Sequence, residues 1–265
     1  MKNVFRSLLL GAVLGLLGAG GAVCAGTAPA GSAHSGAELR VGYSGDYPPL
    51  AFTRDGTAAG VEADLAHKVG KALGRKIRFV RLPFAELIPA LESDRIDIIM
   101  SGMSVTPERQ RRVAFTSPYL RIGQMALIRV SDAARLAEPE ALYRPGLRVG
   151  YKRHTTGETF VRENLAQARP VGFETIDAGI EGLRDRKIDV FIHDAPTIWR
   201  VGNDPGERDL IGINRALTKE YLAWAVRKDD KALKRKLDQL VARWITSGSM
   251  SKAINRWVLV SVKVQ

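Results

Sequence analysis

The pentapeptide Leu-Arg-Val-Gly-Tyr occurs twice in this chain, at residues 39–43 and again at 147–151. Each copy is followed downstream by a short apolar run with one aspartate, Ile96-Asp97-Ile98-Ile99 and then Ile188-Asp189-Val190-Phe191. The stretches enclosed by these pairs share one order of elements. In the first, Val61, Leu65, Val69 and Leu73 recur at helical spacing, and Ile77 and Phe79 alternate as in a strand. Ala85–Leu91 then reads as a short helix and Ile96–Met100 as a short apolar strand. In the second, Thr156–Leu165 reads as helix, Val171–Glu174 as strand, Ala178–Leu183 as helix and Ile188–Ile192 as strand. Strands alternating with helices imply a parallel sheet covered by helices. The duplicated order therefore predicts an α/β chain of two similar lobes. Tyr221–Val226 reads as a further strand. A helix follows with Leu233, Leu237, Leu240, Val241 and Trp244 on one face, ending near Gly248.

Residues 1–25 stand apart from this pattern. Lys2 and Arg6 precede an uncharged run from Ser7 to Val23, and small residues end it, the layout of a secretory signal peptide. Residues 26–37 read as a flexible leader. The expected division is then 38–127 plus 224–265 for the first lobe and 128–223 for the second. Cys24 is the sole cysteine, so cleavage after Ala25 leaves a mature chain without disulfide, thiolate metal site or cysteine nucleophile. The alternative is a lipid anchor on Cys24, although Val23 stands where that motif wants a small residue. Periplasmic localisation follows in either case.

The formal net charge of +12 becomes +10 once Lys2 and Arg6 are lost with the leader. Those basic residues are spread along the chain and not grouped with aromatics, so nucleic acid is not an expected partner. His34, His67, His154 and His193 show no metal-ligand spacing. No phosphate-binding glycine loop or Gly-x-Ser-x-Gly turn appears outside the leader, and no cofactor is expected.

Open α/β sheets bind ligands beyond the carboxyl ends of their strands. This selects the loops Ser44–Leu50, Ser101–Arg109, Lys152–Glu158 and His193–Pro196. Thr106-Pro107 marks a helix start, which puts Arg109 in the first turn, where a cation opposes the helix dipole. An anionic partner explains it better, and its planar fork suits a carboxylate. Thr155 and Glu158 have capping-box spacing, while the same helix start offers N–H groups to an anion. Asp194 reads equally as an N-cap before Ala195-Pro196 or as a ligand contact. Arg109 from one lobe and Asp194 from the other would suit the carboxylate and ammonium of an α-amino acid. Tyr43, Tyr47 and Phe84 would supply flat apolar walls, with core packing the alternative for Phe84.

These residues resemble the periplasmic solute-binding proteins for polar amino acids that serve ABC importers. The similarity runs from Glu38 to Val258. It is carried by Gly60-Val-Glu-Ala-Asp64-Leu-Ala, by Ile96-Asp-Ile-Ile-Met-Ser-Gly-Met-Ser-Val-Thr-Pro-Glu-Arg109-Gln and by Phe115-Thr-Ser-Pro-Tyr119. The resemblance implies a type II periplasmic binding protein fold, two α/β lobes joined by two crossing strands. Those crossings fall near Ala126–Val130 and Leu222–Val226. It also implies a monomer that delivers an amino acid to a membrane permease. On the same grounds Arg109 grips the α-carboxylate, helped by groups near Ser104 and Thr156. Asp194, with Gly102 and Ser104, takes the ammonium, and Tyr47 and Phe84 sandwich the side chain. Lys152 and His193-Asp194 are similar to positions in glutamine-binding members, and Ser101 and Thr155, from the selected loops, complete the expected site.

Three positions depart from the family pattern. Ser44 stands where an acidic residue is usual, Thr156 where a glycine is, and Gly102 where the histidine- and lysine-binding branch has serine. With Lys152, Arg153 and His154 nearby, the lean is towards polar neutral or acidic ligands. The chain is also similar to periplasmic cyclohexadienyl dehydratases at Gly45-Asp46-Tyr47, Met100–Ser104 and Pro118–Arg121. That second resemblance implies Glu220 as a catalytic acid.

Overall fold

The computed structural model describes residues 38–206 and 208–258. The expected signal peptide with Cys24, and the leader, lie outside them. Both copies of the pentapeptide become the inner strand of a parallel trio. Glu38–Tyr43 lies between Lys76–Arg81 and Ile98–Ile99, and Arg148–Lys152 lies between Arg169–Phe173 and Val190–Asp194. Two antiparallel strands complete each five-stranded sheet: Ala225–Val226 and Ala114–Phe115 in the first, Gln124–Arg129 and Leu210–Ile213 in the second.

The duplication reaches to side-chain detail. Arg40 donates to Asp97 from its backbone N–H (2.7 Å), Nε (3.1 Å) and Nη2 (2.6 Å). Arg148 donates to Asp189 from the same three groups, at 3.0, 3.1 and 2.7 Å. A Cβ on Gly42 would stand 2.3 Å from Ile96 Cδ1, and one on Gly150 2.3 Å from Ile188 Cδ1. The repeated words thus encode one clamp, used once per sheet: the glycine admits the isoleucine and the arginine ties down the aspartate.

Burial pushes both aspartates up, but hydrogen bonds from Arg40 and Arg148 outweigh it and hold each carboxyl below its ordinary value. A lowered folded-state value makes the stabilisation complete above the ordinary carboxylate range and removes it as pH falls through the lowered value. Asp97→Ala is expected to cost about 2–3 kcal/mol at neutral pH, because it leaves the part-buried Arg40 N–H without its acceptor and removes two of the guanidinium's bonds. Urea denaturation checks this, and the gap to the unsubstituted protein should narrow in acid.

Helices cover both sheets. Val61–Leu73 buries Val61, Leu65 and Val69 and ends at Gly74 in the left-handed conformation, φ 66°. Lys231–Thr246 starts under Asp230, whose carboxylate accepts from Leu233 N–H at 2.9 Å, and buries Leu233, Leu237, Leu240 and Val241 against the first lobe.

The crossings differ from expectation. Gln124–Arg129 is buried throughout and sits inside the second sheet, so it does not link the lobes. The link is the antiparallel pair Leu120–Ile122 and Glu220–Leu222. Residues 120–129 break at Gly123, where a Cβ would lie 2.1 Å from the Thr218 carbonyl oxygen. The boundary expected after residue 127 therefore falls earlier, since the first sheet ends its outward pass at Phe115 and the second begins at Gln124. Tyr221–Val226 is likewise two strands, Glu220–Leu222 and Ala225–Val226, with Ala223-Trp224 turning from the crossing into the first sheet.

Candidate functional site

Strand ends from both lobes converge on one small pocket. Tyr47, Phe84, Gly102, Ser104 and Arg109 line it from the first lobe, and Lys152, Thr155, Thr156, His193 and Asp194 from the second. Ser101 does not line it. Its hydroxyl sits behind, accepting from Ser44 N–H at 2.9 Å and donating to Ser44 Oγ at 3.2 Å, so it ties two loops together.

Thr106 caps the short helix Pro107–Arg112 by accepting from Arg109 N–H at 3.2 Å. Arg109 then turns back into the cleft. Nη1 donates to the Ser104 carbonyl (2.9 Å), Nη2 to the His154 carbonyl across the cleft (3.2 Å), and the guanidinium stands 5.3 Å over the Phe84 ring. Burial lowers its pKa, a shift that Asp194 and Glu220 oppose. Among the described residues it makes no hydrogen bond to a carboxylate, so its fork remains able to exchange carbonyls for an anion.

Asp194 precedes the helix Ala195–Gly202 but does not cap it. Its oxygens accept instead from Tyr47 Oη (2.5 Å) and Gln124 Nε2 (2.6 Å). Burial and then the neighbouring Glu220 push its carboxyl up to about 7, against the pull of Tyr47, Gln124 and Arg109. Of the two readings left open by the sequence, capping is excluded. A buried acid bound from both lobes is placed to meet a cation.

The capping box is also absent in the expected form. Thr155 Oγ1 donates to the Lys152 carbonyl at 2.7 Å, and Glu158 accepts from His154 N–H at 2.7 Å. His154 adopts φ 62°, which brings its own N–H to Glu158 in place of that of Thr155. The helix Thr156–Asn164 therefore enters the cleft without a side-chain cap, leaving its first N–H groups to an anion.

Gly102 has φ 62°, and a Cβ there would stand 2.6 Å from the Tyr47 ring. Its N–H does not face the pocket; it donates to Glu62 at 2.8 Å. Lys152 is 4% exposed and bonds Asp46 across the cleft, with Nζ 5.6 Å from the Phe84 centroid. His193 packs edge-on to Tyr47 and stacks on Phe191, and burial with Lys152 nearby pushes its pKa down to about 3. It is a neutral wall.

Gln124 and Glu220 stand outside the pocket lining and bond residues that form it. Gln124 Nε2 reaches Asp194, Glu220 (3.1 Å) and Thr156 Oγ1 (3.1 Å). Glu220 accepts further from Ser104 Oγ and Thr218 Oγ1, each at 2.7 Å. Sequence reasoning misses Gln124; its one signal is an amide opening a strand whose next four residues, Met125 to Ile128, are apolar.

Comparison with known proteins places this arrangement. The profile of the bacterial extracellular solute-binding proteins, family 3, matches residues 39–260. A cyclohexadienyl dehydratase of Pseudomonas aeruginosa is 30% identical over 221 residues, covering 83% of this chain and 82% of that protein. ABC transporter arginine-binding protein 1 of Escherichia coli is 25% identical over 83% of this chain and 90% of its own. Among solved structures, a putative ABC transporter binding component from Wolinella succinogenes complexed with lysine superposes with a TM-score of 0.80 at 29% identity, covering 85% of this chain and 97% of that one. An ancestral amino acid-binding protein, described as a precursor of cyclohexadienyl dehydratase, superposes at 0.77 with 30% identity, covering 84% and 95%. This chain belongs to the bacterial extracellular solute-binding proteins, family 3.

Proposed function

We propose that the chain is the extracytoplasmic, periplasmic binding component of an ABC importer, which closes as a monomer on a polar L-amino acid and delivers it to a membrane permease. The observation that carries this reading is the approach of Arg109 and Asp194 to one buried pocket from opposite lobes. The ligand carboxylate takes the Arg109 fork and the uncapped helix start at Thr156, and the ammonium takes Asp194.

In the present conformation the lobes are held together by their own groups. Tyr47 meets Asp194, Lys152 Nζ lies 2.6 Å from Asp46 Oδ2, and Arg109 meets the His154 carbonyl. The space the pocket encloses is only about 20 Å³, near the volume one water requires. An amino acid therefore enters when the lobes part, and it replaces these bonds on closure.

Dehydration is the second reading, favoured by the Pseudomonas relative and by Glu220 beside Ser104. A general acid has to reach the group it protonates. Glu220 lines the outer mouth of the cleft and not the small pocket, and its oxygens are taken up by Ser104, Thr218 and Gln124. Binding is the better-supported reading.

A thermal-shift screen across the amino acids, followed by calorimetry, tests it. An ammonium beside Asp194 draws its raised carboxyl back down, so binding should release a proton below about pH 7. Affinity should then fall by up to about tenfold per pH unit below that point. The reading fails if no amino acid raises the melting temperature. Turnover of prephenate or arogenate, lost in Glu220→Gln, would establish the dehydratase in its place.

A further inference from the structure

Beyond Phe84 a second chamber of about 480 Å³ opens between the lobes, and it shares Phe84 and Lys152 with the pocket for the zwitterion. We infer that the ligand's own side chain ends in a carboxylate and that Arg81 receives it, so that the protein selects acidic amino acids. This rests on the amino-acid reading above and deepens it.

The argument is a charge inventory of the chamber walls. Two carboxylates face it, and both already have cations: Asp46 is bonded to Lys152 at 2.6 Å, and Glu174 to Arg153 at 3.0 Å. Arg81, at the end of the strand Lys76–Arg81, is the one lysine or arginine of the chamber without a hydrogen-bond or ion-pair partner among the described residues. Its side chain is exposed, and its Nε runs close beside Gly45. Gly45, with φ 77°, makes way for it, since a Cβ there would lie 2.7 Å from Arg81 Nε and 2.9 Å from Thr53 Oγ1.

A ligand held by Arg109 and Asp194 sends its side chain past Phe84 into these walls. A cationic side chain would find every facing carboxylate paired and one positive charge in excess. Its own charge would be left without a partner, which is costly in a partly desolvated cleft. A carboxylate matches the excess and gains charge-assisted bonds. At the opposite mouth the Glu220 carboxylate is already bonded to Ser104, Thr218 and Gln124, and Glu108, Glu158 and Glu163 stand there among Arg109, Arg111, Arg112 and Arg162.

Calorimetry with L-glutamate, L-aspartate, L-glutamine and L-arginine, on the unsubstituted protein and on Arg81→Gln, decides the matter. Glutamate or aspartate should bind most tightly, and Arg81→Gln should weaken that ligand by about tenfold. Glutamine affinity should stay within about twofold, since it presents no charge to Arg81. Arg81→Lys should restore part of the loss. Tighter binding of arginine, or an equal loss for glutamate and glutamine in Arg81→Gln, would overturn the inference and leave the amino-acid reading intact. Failure of every amino acid to bind would overturn both.

Discussion

Arg109→Ala should weaken amino-acid binding by about 10²–10⁴-fold. Removing one member of a desolvated charge pair costs about 3–5 kcal/mol, which is that range in affinity. The same change should leave the melting temperature without ligand unchanged or slightly higher. Among the described residues the half-buried guanidinium bonds two carbonyl oxygens, and desolvation lowers its pKa. Asp194→Asn should separate binding from stability in the same way. The Asp194 carboxyl, pushed up to about 7, takes up a proton on folding between its ordinary value and 7. Stability therefore declines as pH rises through that window, and the asparagine should relieve the decline above pH 7 while binding is lost. Calorimetry together with thermal melts at two pH values checks both halves. A binding defect accompanied by an equal loss of fold would count against the assigned role.

Glu62→Ala is the substitution expected to damage the fold most. Its carboxylate is 2% exposed and accepts from Gly102 N–H (2.8 Å), Tyr119 Oη (2.7 Å) and Trp224 Nε1 (2.9 Å). Burial raises its pKa, and those three bonds pull it back. Alanine would strand three buried donors and open a cavity, at about 3–5 kcal/mol. Glu62→Gln keeps the shape but sets its amide hydrogens against one of the donors, and about 1–3 kcal/mol is expected. Urea denaturation followed by the fluorescence of buried Trp224 reports both. The affinity should also drop, because Gly102 carries the loop that shapes the Tyr47 wall.

The two-lobed build was legible because the duplicated words occupy the inner strands, where backbone pairing and side-chain packing constrain residue type together. The cleft was legible because helix starts and strand ends carry local signatures, as at Thr106-Pro107 and Ala195-Pro196. What escaped depends on distant partners. Gly123 reads as a routine glycine until Thr218 is placed against it, and Glu62 reads as a first-turn helix acid until Gly102, Tyr119 and Trp224 arrive. The shifted cap at His154 escaped for a different reason: spacing marks which residues are available to bond, whereas the backbone angle decides which N–H is taken.

The duplicated arginine–aspartate clamp has a mechanical consequence. Arg40–Asp97 and Arg148–Asp189 each brace a sheet from within, and neither spans the cleft. Each lobe thus resists shear on its own and transmits force as a solid plate. Any opening of the proposed kind would then concentrate its torsion in the crossing pair Leu120–Ile122 and Glu220–Leu222, in the manner of a hinge with stiff leaves.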